Sequence, residues 1–277
     1  LGEGPVWRPA ENAVWFVDIK ECRIHRFDVA AGTGKSWSAP EQPGFIAPIA
    51  SGGFLCGLKN GLHRFDPATG AFTFFCVVEP ERAGNRLNDG FVDAKGRLWF
   101  GSMDDGESES SGALYRLTEQ GCLRCDAPYV ITNGPAMSPD GRTLYHTDTL
   151  SRTIYAFDVA EDGGLSNKRV FVNIEKSGAY PDGPTVDAEG CLWTGLFGGW
   201  CLERYSPQGK LLQTVSFPCA NITKAAFGGA DLRTLYVTTA WKGLGEAARA
   251  EQPLAGGLFA MRVDVPGLPQ GEIRDGV

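Results

Sequence analysis

Histidine and methionine are scarce, with three of each in 277 residues. The shortage of histidine excludes a three-histidine zinc centre, because His25 and His63 repeat one position beside Arg and Phe, and His146 stands alone in an apolar run. Any metal would have to be held largely by oxygen. Basic runs are missing too: Lys plus Arg total 26 against 33 Asp plus Glu, a net charge of −7. The chain thus lacks the positive footprint that nucleic acid or an anionic membrane surface requires, and neither partner is expected. The longest uncharged stretch, Gln42 to Leu58, is broken by two Pro and four Gly and falls short of the roughly 20 apolar residues of a spanning helix. A soluble protein is expected. No basic segment leads into an apolar one after Leu1, so no secretory signal is read and a cytoplasmic location is expected.

Several catalytic signatures are also absent. No G-x-S-x-G elbow occurs, which removes the nucleophile of an α/β-type serine hydrolase. Gly32-Thr33-Gly34-Lys35-Ser36 resembles the end of a phosphate loop, but the first Gly of that pattern would fall at Val29. It reads as a turn instead. Cysteine is not scarce, at eight residues, yet a chain of this length needs no staples, and Cys56, Cys191 and Cys201 lie in apolar stretches. Reduced, mostly buried thiols are expected. The single C-x-x-C, Cys122 to Cys125, has neither a second pair nor a βαβ context, so it reads as two strand residues after a turn.

What the sequence does contain is a repeat. Helical periodicity is missing, Gly is abundant at 37 residues, and short alternating aromatic or β-branched runs recur between turn residues. This is an all-β pattern. A strand motif centred on Trp15, Leu55, Trp99, Tyr145, Trp193 and Tyr236 recurs at spacings of 40, 44, 46, 48 and 43 residues, the length of a propeller blade. A second strand column follows each, as at His25-Arg26-Phe27 and Leu114-Tyr115-Arg116. Asp93-Ala94-Lys95-Gly96, Ser138-Pro139-Asp140-Gly141 and Asp187-Ala188-Glu189-Gly190 supply tight hairpins. No linker divides the chain, so the expectation is a single six-bladed β-propeller domain over residues 1–277.

One column in the repeat carries chemistry. Gly2-Glu3-Gly4-Pro5, Leu87-Asn88-Asp89-Gly90, Thr132-Asn133-Gly134-Pro135 and Pro181-Asp182-Gly183-Pro184 place Glu3, Asn88, Asn133 and Asp182 11 or 12 residues before a strand centre. Each alone is a turn signal. Together, on segments entering the innermost strands, they would converge on the axis of a propeller. Two carboxylates and an amide oxygen make a hard cage that suits Ca, Mg, Mn or Fe(II) better than a structural zinc.

At these residues the sequence resembles the regucalcin and gluconolactonase family of metal-dependent sugar lactonases. The carriers are Gly2-Glu3-Gly4-Pro5-Val6-Trp7 with Phe16-Val17-Asp18-Ile19, Asn85-Arg86-Leu87-Asn88-Asp89-Gly90, Asn133-Gly134-Pro135, Pro181-Asp182-Gly183 and Phe227-Gly228-Gly229. Within the family, Phe45-Ile46-Ala47-Pro48-Ile49 and Tyr145-His146-Thr147-Asp148-Thr149 are most like bacterial pentonolactonases of the xylonolactonase or arabinonolactonase type. The resemblance implies Glu3, Asn133 and Asp182 as ligands of one divalent ion, with Ca, Zn, Mn, Mg and Fe(II) all open, and Arg86 with Asn88 as substrate contacts. It implies hydrolysis of a small sugar lactone, with Asp182 or a water activated by the metal as the base, and a monomer is expected separately. A regucalcin-like calcium-binding protein, a propeller hydrolase of phosphotriesters and a non-catalytic interaction scaffold are the rival readings. The acidic loop Met103 to Ser111 matches no pattern that assigns it a role.

Overall fold

The computed structural model describes residues 1–274, and they are mostly strand. A first antiparallel sheet holds β1 (Gly2–Arg8), β2 (Ala13–Asp18), β3 (Arg23–Asp28) and β4 (Thr33–Ser38); a second holds β5 (Phe45–Pro48), β6 (Phe54–Leu58), β7 (Gly61–Asp66) and β8 (Ala71–Val77). The third comprises β9 (Asn85–Val92), β10 (Leu98–Asp104), β11 (Gly112–Thr118) and β12 (Gly121–Tyr129), and the fourth β13 (Thr132–Met137), β14 (Thr143–Asp148), β15 (Thr153–Val159) and β16 (Leu165–Asn173). Then follow β17 (Tyr180–Val186), β18 (Leu192–Phe197), β19 (Cys201–Tyr205), β20 (Leu211–Ser216), β21 (Asn221–Gly228), β22 (Thr234–Ala240), α1 (Glu246–Glu251) and β23 (Leu258–Arg262). Hydrogen bonding joins these last strands into one sheet, ordered β20-β19-β18-β17-β21-β22-β23, through a single parallel pair between Gly183 and Lys224. The repeat predicts six equal sheets where hydrogen bonding draws five. The physical reason is close approach at Gly183, where a Cβ would sit 2.7 Å from Lys224 Cδ.

The arrangement is an all-β propeller. Strands β1, β5, β9, β13, β17 and β21 each touch the next, and β21 returns to β1. Apolar cores lie between consecutive sheets rather than inside any one. Trp15, Val17 and Ile24 pack against Ile46, Phe54 and Phe65, and Trp7 and Val14 close the circle against Tyr236. Both faces of the inner strands are therefore buried, while outer strands such as β4 and β20 stay largely exposed. Trp15, Leu55, Trp99, Tyr145, Trp193 and Tyr236 all fall in the second strand of their units.

The hairpins form as their turn residues require, with Gly96, Gly141 and Gly190 at positive φ. In two of them the Asp also builds the core. Asp93 accepts the Trp99 indole N–H at 3.0 Å and Asp187 accepts that of Trp193 at 2.9 Å, so a turn and the next strand are tied by one carboxylate. No helix among the described residues is long and apolar enough to cross a membrane.

Candidate active site

The chemical column lies within the innermost strands themselves rather than on segments that enter them: Glu3 on β1, Asn88 on β9, Asn133 on β13 and Asp182 on β17. The register slips beside each of them, between Glu3 and Val6, between Leu87 and Gly90, between Asn133 and Ala136, and between Pro181 and Pro184. Such bulges re-aim side chains, which explains Gly, Pro, Asn and Asp in strands that should favour β-branched residues. Gly4 and Gly134 take the positive φ that two of the bulges need.

Contacts tie these strands together at one level of the axis. Arg86 Nη1 donates to Asn88 Oδ1 at 2.6 Å, Asn88 Nδ2 donates to Asn133 Oδ1 at 3.0 Å, and Asn133 Nδ2 donates to Thr149 Oγ1 at 2.8 Å. Thr149 in turn donates to the Pro181 carbonyl, beside Asp182, at 3.0 Å. One chain of hydrogen bonds thus fixes both amides and runs from β9 to β17. Beneath it lies a buried ion pair, Lys224 Nζ to Asp89 Oδ1 at 2.6 Å, whose other carboxylate oxygen accepts the Gly134 N–H at 2.8 Å. Lys224 also lines a cavity of about 500 Å³ on the far side, where residues 268–272 contribute to the wall.

Glu3 and Asp182 are both buried, and among the described residues each carboxyl has only the N–H of the following glycine as partner, Gly4 at 3.3 Å and Gly183 at 2.9 Å. Neither has an ion-pair partner among the described residues. Burial, reinforced by the charge of Asp89, raises Glu3 from 4.5 to about 8. Burial also lifts Asp182 well above the usual carboxylate range, with repulsion from Glu3 and Asp89 adding to it. Two buried carboxyls that repel each other, with the Asn133 amide on the strand next to that of Asp182, supply hard-oxygen donors whose charge a divalent cation would neutralise. The residues fit such an ion.

Arg86, expected as a substrate contact, is 2% exposed, and its Nε donates to Asp105 Oδ1 at 3.0 Å. Burial lowers its pKa, and the Asp105 charge opposes that shift. Asp105 also takes Lys20 Nζ at 3.0 Å. The acidic loop therefore has an ordered job. Asp104 accepts the N–H groups of Ser108 and Glu109, which holds its carboxyl down at about 2, and Glu107 pairs with Lys242. Sequence reasoning assigned no role to Asp89, Lys224 or Asp105. Asp89 stood inside a quoted motif, whereas Lys224 and Asp105 lacked any spacing signal.

The family model described as "SMP-30/Gluconolactonase/LRE-like region" matches residues 1–241. The chain belongs to this family. Members of the SMP-30/gluconolactonase family that it resembles include 6-deoxy-6-sulfogluconolactonase of Pseudomonas putida, 36% identical over 96% of this chain and 92% of that protein. L-arabinolactonase of Azospirillum brasilense is 35% identical over 97% of this chain and 90% of that protein. A crystal structure from Agrobacterium tumefaciens, described as a calcium-binding protein, regucalcin, superposes with a TM-score of 0.95 at 30% identity, covering 99% and 94% of the two chains.

Proposed function

We propose that this protein is a lactonase that hydrolyses a sugar lactone, an aldono-1,4- or 1,5-lactone of the pentonolactone type, to the aldonic acid with the help of one divalent metal ion. The observation that carries this reading is the pair of buried carboxyls, Glu3 and Asp182, each held by one backbone N–H and with no ion-pair partner among the described residues, together with the fixed amide of Asn133. These three residues would hold the ion. When bound, it supplies a Lewis acid for the lactone carbonyl. Arg86 and Asn88 orient the sugar hydroxyls. Asp182 Oδ2, free of the Gly183 N–H, takes a proton from the attacking water, which adds to the carbonyl carbon. The ring C–O bond then breaks, and the proton passes to the departing ring oxygen.

The seven-stranded sheet is read as two units joined by a single bridge near the axis, giving six blades in one domain. A monomer in a reducing cytoplasm suits the eight free thiols. A second reading, calcium binding without turnover at the same site, is favoured by the description of the Agrobacterium tumefaciens protein. The buried axial carboxylates argue against a scaffold. A pH-stat assay on xylono-, arabinono- and gluconolactones and one phosphotriester, with chelated protein reloaded with Ca, Zn, Mn, Mg or Fe(II), decides between the readings. Metal-restored hydrolysis of a pentonolactone supports the proposal. Metal uptake with no lactone turnover, or turnover of the phosphotriester alone, refutes it.

A further inference from the structure

The one C-x-x-C of the chain does not act as a pair, because its two cysteines face different seams. Cys122 packs on the core between the second and third sheets, beside Leu62, Tyr115 and Leu117. Cys125 packs on the core between the third and fourth, beside Trp99, Met137 and Phe157. The sulfur near Cys122 belongs instead to Cys76, on β8 of the neighbouring sheet, with Sγ to Sγ at 3.5 Å. Both residues are partly exposed, whereas Cys56, Cys191, Cys201 and Cys219 are buried.

We propose that Cys76 and Cys122 are a thiol–disulfide modification site, a reversible crosslink between the outer strands of two adjacent sheets, closed by low-molecular-weight disulfides. A disulfide needs its sulfurs at roughly 2 Å, so the pair must close by about 1.5 Å. Strands β8 and β12 are outer strands with several exposed residues, where such a shift disturbs little packing. Both thiols are partly exposed, so either thiolate can open the exchange. On the route through Cys76, its thiolate attacks one sulfur of the small disulfide, forming a mixed disulfide and releasing one thiol. Cys122 then attacks the Cys76 sulfur, closes the crosslink and expels the second thiol. Two electrons pass from the cysteines to the small disulfide, and the two thiol protons end on the released thiols.

The crosslink joins residues 46 apart and encloses β9, which carries Arg86, Asn88 and Asp89. Restricting a loop of that size in the unfolded chain should raise the melting temperature by on the order of 5–10 °C. The test incubates the whole protein with oxidised glutathione, alkylates free thiols, and maps disulfides by mass spectrometry after non-reducing proteolysis at acid pH. The expected result is a linked peptide pair containing Cys76 and Cys122, and a melting temperature that rises and returns with dithiothreitol. Cys76→Ser and Cys122→Ser should each abolish both, and Cys125→Ser should keep both. Absence of the linked pair in wild type, glutathione held only as a mixed adduct, a link through Cys125, or a link without a change in melting temperature would each overturn the proposal. Wild-type mapping and Cys125→Ser decide it even if a serine variant of the pair fails to fold.

Discussion

With no cation at the axial carboxyls, the protein should become less stable as pH rises from mildly acidic to mildly basic. Glu3 is raised from 4.5 to about 8, and Asp182 is raised with it, because both are buried beside each other and beside Asp89. Between those limits the folded protein keeps protons that the unfolded chain gives up. The folded state therefore binds more protons, and its stability falls as pH increases through the window. One carboxyl contributes about 1.4 kcal/mol per pH unit, with a ceiling on the order of 5 kcal/mol for Glu3. From roughly pH 6 to pH 7.5 the two together should remove about 2–4 kcal/mol. His146 works the other way, since burial holds it neutral down to about 3, but in this window it returns only about 1 kcal/mol. Urea unfolding of chelated protein, followed by tryptophan fluorescence at the two pH values, measures the difference. The Glu3→Gln/Asp182→Asn double variant keeps His146 and lacks the titrating pair. Parallel pH curves for the double variant and wild type would refute the reasoning.

Metal binding should itself release protons near neutral pH, because the ion selects the ionised carboxylates; a pH indicator that records no release on titration with Ca or Mn would contradict the assigned ligands. Asn88→Ala should keep the metal content of wild type while turnover falls roughly ten- to a thousandfold; elemental analysis showing metal loss would make Asn88 a ligand, and full activity would leave it a structural residue. Lys224→Met should cost about 3–5 kcal/mol by stranding buried Asp89, and Asp89→Asn in the same chain should recover part of that loss; urea midpoints that show no recovery would dissolve the pair as a unit. His146→Phe should flatten the loss of stability on acidification from about pH 6.5 towards 3, where the unfolded chain protonates and the buried imidazole does not; an unchanged acid limb would assign that loss to other groups.

The local periodicities of this fold were legible in the linear chain, because a strand motif recurring every 40 to 48 residues and hairpins of the Asp-x-x-Gly kind are short-range properties. Residues such as Trp99 and Trp193 could be aligned by counting, and each lies on its second strand, anchored to the Asp six residues before it. Glu3, Asn88, Asn133 and Asp182 could be singled out as a column because the bulge that turns each one also demands recognisable Gly and Pro neighbours. What counting could not reach depends on distances across the axis or around the rim. Lys224 meets Asp89 across 135 residues of chain, Asp105 meets Lys20 across 85, and Cys76 meets Cys122 across 46. Lys224, Lys20 and Cys76 carry no motif, and the motifs that hold Asp89 and Cys122 do not name these partners, because the specificity lies in where two sheets converge. The carboxyl pair shows the same division of labour: Glu3 and Asp182 are ordinary acids in the sequence, and only closure of the ring buries them together, desolvates both, and raises the cost of their ionisation.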